Sequence, residues 1–290
     1  MLATLKEIMK TAEESRIAVG AFNTPNLESL RAILEAAQEL ELPVIIQFAQ
    51  CHEELVPLSL IGPVMVGMAK KADVPVCVHL DHGETLDYLR QALEIGFTSI
   101  MYDGSVLSYE ENIANTKLAV EMAKKTGASV EAELGSMGKR ESGAGDLAED
   151  GDDNKIYTDP KQAKQFVEET GIDALACSFG TTHGIYLTAP KLDFGIVSAV
   201  RDETGGIPVV MHGGSGVSRE YFHAAIRAGV RKINYFTYMD KAGGAAVGSF
   251  SGELESGKPV FFTEVVRKAS AAMKENVKDA MRTFARMDEE

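Results

Sequence analysis

The chain has 290 residues, is 45% hydrophobic and carries a formal net charge of −14. That is enough apolar material for a large core, and a charge that argues against nonspecific nucleic-acid binding. No run of about 18 apolar residues occurs, so no membrane-spanning helix is expected, and the three cysteines form no CxxC pair, which fits a reducing cytoplasm better than secretion.

The N-terminus, "MLATLKEIMKTAEESR", has acidic residues and amphipathic spacing and reads as a folded helix, not a signal peptide. The strand-like run "RIAVGAFN" (16–23) follows, and then the helical pattern "NLESLRAILEAAQEL", with Asn26 as its N-cap. "PVIIQFA" (43–49) and "PVCVHLD" (75–81) are the next strands, and "ETLDYLRQALEIG" is a helix closed by Gly96. "SIMYDG" (99–104) leads to "YEENIANTKLAVEMAKKTG", which ends in lysines and Gly127. "SVEAELG" (129–135) opens into a long polar, Gly-rich loop at 136–158. After the helix "DPKQAKQFVEETG" and the strand "ALACSFG" (174–180) comes another long connection, 181–191. "LDFGIVSAVRDETG", "PVVMHGG" (208–214), "SREYFHAAIRAG" and "KINYFT" (232–237) continue the alternation. Residues 243–260, rich in Gly and Ser, read as a flexible insertion before C-terminal helices at about 263–287.

The strand runs are rich in Val and Ile and often continuously apolar, as in parallel strands buried on both faces. Eight strand–helix repeats predict one domain over 1–290, a closed (β/α)8 TIM barrel, ahead of an open doubly wound sheet.

In such a barrel, chemistry gathers at the carboxyl ends of the strands. His82, Asp103, Glu131, Glu133, His183, His212, Asn234 and Thr237 all fall at or near those ends. Three imidazoles, His82, His183 and His212, make a catalytic zinc-type site if they converge. His79 reads as their support, while His52 and His223 read as structural or surface histidines. "HGGSG" (212–216), followed by a helix, offers backbone N–H groups to a phosphate. A local anion site of this kind resolves the conflict between an acidic chain and an anionic substrate.

The motifs "AFN", "HLDHG", "YDGS", "EAELG", "GTTHG", "HGGSG" and "KIN" with Thr237 run in order through about residue 240. Together they resemble the class II, metal-dependent ketose-bisphosphate aldolases, the fructose- and tagatose-bisphosphate aldolase type. The resemblance implies a cytoplasmic homodimer or homotetramer of carbohydrate metabolism, as in glycolysis. Such an enzyme reversibly cleaves a ketose (bis)phosphate into dihydroxyacetone phosphate and an aldehyde through a zinc-stabilised enediolate. It further implies that His82, His183 and His212 hold Zn2+ or another divalent ion, with Asp103 and Glu133 available to a displaced metal. Asp81 becomes the proton donor and acceptor, and Glu141 the loop base. Asn23, Gly184, Gly213, Gly214, Ser215, Asn234, Tyr235, Phe236 and Thr237 become the substrate shell, with Na+ or K+ near the phosphate.

The pattern also departs from the family. "QFAQCHEE" stands where a serine-containing "QVS" stretch is usual, so a different aldehyde is expected in that half of the site. "RESGAG" replaces a more acidic loop, and Tyr235, Phe236 and Tyr238 replace smaller or acidic residues. Three rivals remain at this point: a metal-dependent hydrolase, a Schiff-base aldolase, and a non-catalytic sugar-phosphate-binding barrel. The lack of His-x-His on strand one counts against the first. Lys232, at the start of strand eight, counts against the second.

Overall fold

The computed structural model describes residues 1–135, 147–148, 157–186, 190–252 and 259–289. The chain begins with β1 (Leu2–Ala3), α1 (Leu5–Ser15), β2 (Val19–Asn23), α2 (Leu27–Leu40) and β3 (Val44–Ala49). A 3-10 turn (Gln50–His52) leads to α3 (Leu58–Lys71), β4 (Val76–Gly83), α4 (Leu86–Ile95), β5 (Ser99–Tyr102), α5 (Tyr109–Thr126) and β6 (Ser129–Leu134). Next come β7 (Leu147–Ala148), α6 (Pro160–Thr170), β8 (Ala174–Cys177), β9 (Ile185–Tyr186), α7 (Phe194–Thr204) and β10 (Val209–Met211). The rest is α8 (Arg219–Ala228), β11 (Val230–Asn234), α9 (Thr237–Gly252) and α10 (Phe262–Phe284).

Eight of these strands form a closed parallel barrel in the order β2, β3, β4, β5, β6, β8, β10, β11. It shuts where Lys232, Ile233 and Asn234 pair with Val19, Gly20 and Ala21. With helices around it and a C-terminal helix beyond, this is a (β/α)8 TIM barrel. The short strands β7 and β9 pair with each other apart from it.

A two-residue period explains how the interior is filled. Val19, Ala21, Ile45, Cys77, Ala174, Ala176 and Val210 point inward and pack on Leu5, Ile8, Met9 and Ala12 of α1. That helix closes the amino-terminal end of the barrel. The residues on the opposite strand faces, such as Ile46, Val78, Leu80, Val130, Leu175 and Val209, join the outer core under the surrounding helices. Two or four positions further along, the inner face turns polar yet stays buried: Asn23, Gln47, His79, Asp81, Glu131, Glu133, His212 and Asn234. The fold thus sorts apolar residues to one end of the barrel and ionisable residues to the other.

Two segments differ from the sequence expectation. α3 carries no distinct helical stripe, because "LSLIGPVMVGMAKK" is apolar almost all round. Ile61, Met65, Val66 and Ala69 are its buried face, while Leu60 and Val64 are exposed. The expected flexible insertion at 243–260 is helical through Gly252. Its small residues let α10 come close: a Cβ on Gly243 would meet Met273 Cε at 2.7 Å.

Candidate active site

Strict alternation along β4 turns His79 and Asp81 inward and would turn His82 away. It does not, because the pairing with β5 shifts register between Leu80 and Gly83, and His82 adopts a left-handed backbone with φ 45°. A non-glycine residue there is strained, and such strain gathers at functional positions. Gly83 is required beside it, since a Cβ would lie 2.8 Å from the Met101 carbonyl oxygen. His212 continues the inner face of β10 past Val210, and His183 comes from the connection between β8 and β9. The ring centroids lie 4.7 Å apart for His82–His212, 5.1 Å for His82–His183 and 5.7 Å for His183–His212. Nitrogens of all three lie within 4.8 Å of one another.

Carboxylates set the direction of two of these rings. His82 Nδ1 is 2.7 Å from Asp103 Oδ2, and His212 Nε2 is 2.9 Å from Glu131 Oε1. An ionised carboxylate only accepts, so each of these outer nitrogens carries the hydrogen. His82 Nε2 and His212 Nδ1 face each other only 3.1 Å apart and share a hydrogen bond. A divalent cation would take the place of the shared proton, and three imidazoles with an open position are the donor set of a divalent metal centre. Burial opposes charge on His82, yet Asp81, Asp103 and Glu133 outweigh it and push its pKa up to about 10, so in the metal-free ring Nε2 keeps its hydrogen and donates it to His212 Nδ1. Burial and the neighbouring His82 charge hold His212 well below its usual value. His82, Asp103 and Glu133 form a second donor group of the same compactness, and Glu133 Oε2 lies 3.8 Å from His212 Nδ1.

Asp81, buried beside His82, accepts from the amides of Asn23 (3.1 Å), Gln47 (3.1 Å) and Asn234 (3.1 Å). Burial alone would raise its pKa. The positive charges of His82 and Lys232 and the Asn23 hydrogen bond outweigh burial and hold it at about 2. Gln47 belongs to this site and was not singled out from the sequence. Its inward position, two residues past Ile45, was the available signal.

Asp81 and His183 line one pocket with all nine residues expected to hold substrate, Asn23, Gly184, Gly213 to Ser215 and Asn234 to Thr237. Gly213 has φ 63°, and a Cβ there would sit 2.3 Å from the Thr182 carbonyl oxygen, so the two loops touch backbone to backbone. The Tyr186 hydroxyl joins them as well, accepting from Thr182 N–H (2.8 Å) and donating to the Gly213 carbonyl (2.9 Å). Phe236 N–H donates to Ser215 Oγ at 3.2 Å. Tyr235 lines the pocket, but its ring packs between Phe22 and Phe284. The helix whose start borders the pocket is α9, at Thr237, whereas the sequence pointed to the helix after "HGGSG".

The remaining expectations fall as follows. His79 supports the histidines indirectly: Nδ1 meets Ser99 Oγ at 2.8 Å and Nε2 lies 3.6 Å from Glu131. Lys232 is buried inside the barrel, 2.8 Å from Glu131, and does not line the pocket. His223 is structural, bonded to Asp288 and Glu289. His52 is structural in the sense of packing, buried between Phe48 and Phe236, though neither ring nitrogen is bonded. Glu141 lies outside the described residues.

The fold and these side chains define a class: a (β/α)8-barrel enzyme whose rim carries a donor set for a divalent metal. The family model for "Fructose-bisphosphate aldolase class-II" matches residues 3–289. A fructose-bisphosphate aldolase of Staphylococcus aureus strain Mu50 is 39% identical over 287 residues, covering 98% of this chain and 97% of the relative. The crystal structure of the YdjI aldolase from Escherichia coli K12 superposes with a TM-score of 0.85 at 36% identity, covering 98% and 97% of the two chains. A fructose-1,6-bisphosphate aldolase structure from Coccidioides immitis, described as putative, gives 0.83 at 26% identity, covering 97% of this chain and 95% of that one. The chain belongs to the class-II fructose-bisphosphate aldolase family and is an aldolase, a carbon–carbon lyase. Among the described residues, no helix is long and apolar enough to cross a membrane.

Proposed function

We propose that the protein reversibly cleaves a ketose phosphate into dihydroxyacetone phosphate and an aldehyde, with Zn2+ or a similar ion on His82, His183 and His212. One observation carries this reading: three converging imidazoles, two of them oriented by Asp103 and Glu131, lie beside a glycine-lined pocket that also contains Asp81. When bound, a divalent cation would act as a Lewis acid, stabilising the negative charge that develops on the ketone oxygen as the carbon–carbon bond breaks.

The chain's own residues supply the rest. Backbone groups of Gly213 to Ser215 and the start of α9 bind and orient the phosphate, attracting an anion that the net charge would repel. Asp81 is ionised, and three amides hold it in place. In cleavage it accepts the proton of the substrate hydroxyl next to the breaking bond, and in condensation it returns that proton to the aldehyde oxygen. Glu141 is assigned by its sequence position to the proton on the nucleophilic carbon. The setting that goes with this chemistry is a cytoplasmic homo-oligomer of carbohydrate metabolism, with Na+ or K+ near the phosphate.

A panel of ketose mono- and bisphosphates, assayed for dihydroxyacetone phosphate release, tests the proposal. Asp81→Ala should lower kcat by about 10²–10⁴-fold with bound metal per chain unchanged. Failure of the wild type to cleave any of them would refute the reading.

A further inference from the structure

Two of the three imidazoles lie past the ladder that joins their strands. β8 and β10 are neighbours in the barrel, but their pairing ends at Val209–Leu175 and Val210–Ala176. His183 and His212 both fall beyond its last pair, so their spacing needs another fastening. Tyr186, on β9, supplies one. Its hydroxyl accepts from Thr182 N–H at 2.8 Å and donates to the Gly213 carbonyl at 2.9 Å. Thr182 immediately precedes His183, and Gly213 immediately follows His212. One hydroxyl thus bridges the backbone beside two metal-ligating side chains.

The bridge is well determined. Burial pushes the Tyr186 pKa up to about 12, with the bonds from Thr182 offsetting it only in part, so the hydroxyl keeps its hydrogen at neutral pH and remains a donor. Thr181, Thr182 and His183 are buried beside it. The backbones it joins already touch, since a Cβ on Gly213 would sit 2.3 Å from the Thr182 carbonyl oxygen. Ala148 pairs in register with Tyr186, which holds the residue from its strand side as well. The same bridge borders the anion corner, where Gly184 and Gly213 to Ser215 line the pocket. Tyr186 is not among the lining residues, so it acts through the backbones it holds.

Building on the aldolase reading, we propose that Tyr186 is a positioning residue for metal and phosphate together. Its hydroxyl sets the spacing of His183 and His212 for the one, and the place of Gly184 and Gly213 for the other. A single hydrogen-bonded node then serves two binding events. Without the hydroxyl, the buried Thr182 N–H and Gly213 carbonyl lose this partner, an imbalance that loops relieve by moving. Both binding events weaken when they do, while Asp81, held by amides from β2, β3 and β11, stays in place.

The test is Tyr186→Phe, which removes one oxygen and keeps the ring. Zn2+ retention, read by competition with a chelator, should fall by about 5–20-fold. Dihydroxyacetone phosphate binding to the zinc-saturated protein, read by calorimetry, should weaken by about the same factor. KM for the best ketose phosphate should rise with it, while kcat at saturating zinc and substrate stays within about 3-fold. Tyr186→Leu serves as a second variant lacking the hydroxyl should the first disturb folding. Thr170→Val is the control: it deletes another buried hydroxyl, bonded to the Phe166 carbonyl at 2.6 Å on α6, and should lower Tm without moving either affinity. Retention of either affinity in the Tyr186 variants, or equal losses in the control, would overturn the assignment. A fall in kcat beyond about 3-fold would overturn it too, by placing Tyr186 in the reaction itself. The two levels separate cleanly. A wild type that cleaves ketose phosphates while the variants keep both affinities removes the role of Tyr186 alone. A wild type that binds neither Zn2+ nor dihydroxyacetone phosphate removes the aldolase reading and this role with it.

Discussion

Glu131 accepts from His212 through one oxygen and from Lys232 through the other, and all three side chains are fully buried. Lys232 balances a carboxylate that would otherwise be buried without a countercharge, while the carboxylate keeps His212 Nδ1 directed at the other imidazoles. Glu131→Gln should therefore weaken metal retention by about 10–100-fold in a chelator competition. It should also destabilise the metal-free protein by about 3–5 kcal/mol in chemical denaturation, because it leaves a buried ammonium unpaired. Unchanged retention would mean that packing alone orients His212. Glu131 was visible in "EAELG", but its role was not: Lys232 is 101 residues away, and which inner-face residues meet across a barrel depends on strand stagger, not on spacing.

α10 is fastened to α2 by charge as well as by packing. Lys274 and Lys278, one turn apart, both reach Glu39 at 2.7 Å. Their hydrogen bonds, Lys274 first and then Lys278, hold the Glu39 carboxyl down at about 2. A depressed folded-state pKa stabilises above the unfolded value, near 4.3, and that contribution is lost as pH falls toward 2. Glu39→Gln should thus lower Tm slightly at pH 7 in low salt. The difference from wild type should shrink between about pH 4.3 and 2, and in ~1 M salt, because the pair is exposed and screened. A difference independent of pH and salt would assign the effect to something other than this ion cluster. At this scale the sequence was informative where capping chemistry was present. Asn26 accepts from Ser29 N–H at 2.8 Å, and Gly96, Gly127 and Gly171 all end helices in the left-handed conformation. α3 and α9 lacked such marks, one because it is too apolar for a visible stripe and the other because its glycines read as loop.

The whole barrel brings together residues that are far apart along the chain, from Asn23 to Thr237, at one rim. Eight apolar runs separated by amphipathic segments made that closure legible, and with it the end of each strand where chemistry should lie. The bulge that turns His82 inward was not legible, for it arises from the register of β4 against β5. On the proposed reading the barrel would reconcile an overall charge of −14 with an anionic substrate, since attraction would be confined to the glycine corner and the donor set. The central claim is that the imidazoles of His82, His183 and His212 hold one activating metal. Chelator-stripped protein titrated with Zn2+, with dihydroxyacetone phosphate release from the best ketose phosphate as the signal, measures it directly. Activity should rise from near zero to a plateau at about one equivalent per chain, as expected for a single three-ligand site. Full turnover in the stripped protein, before any zinc is added, would contradict the account.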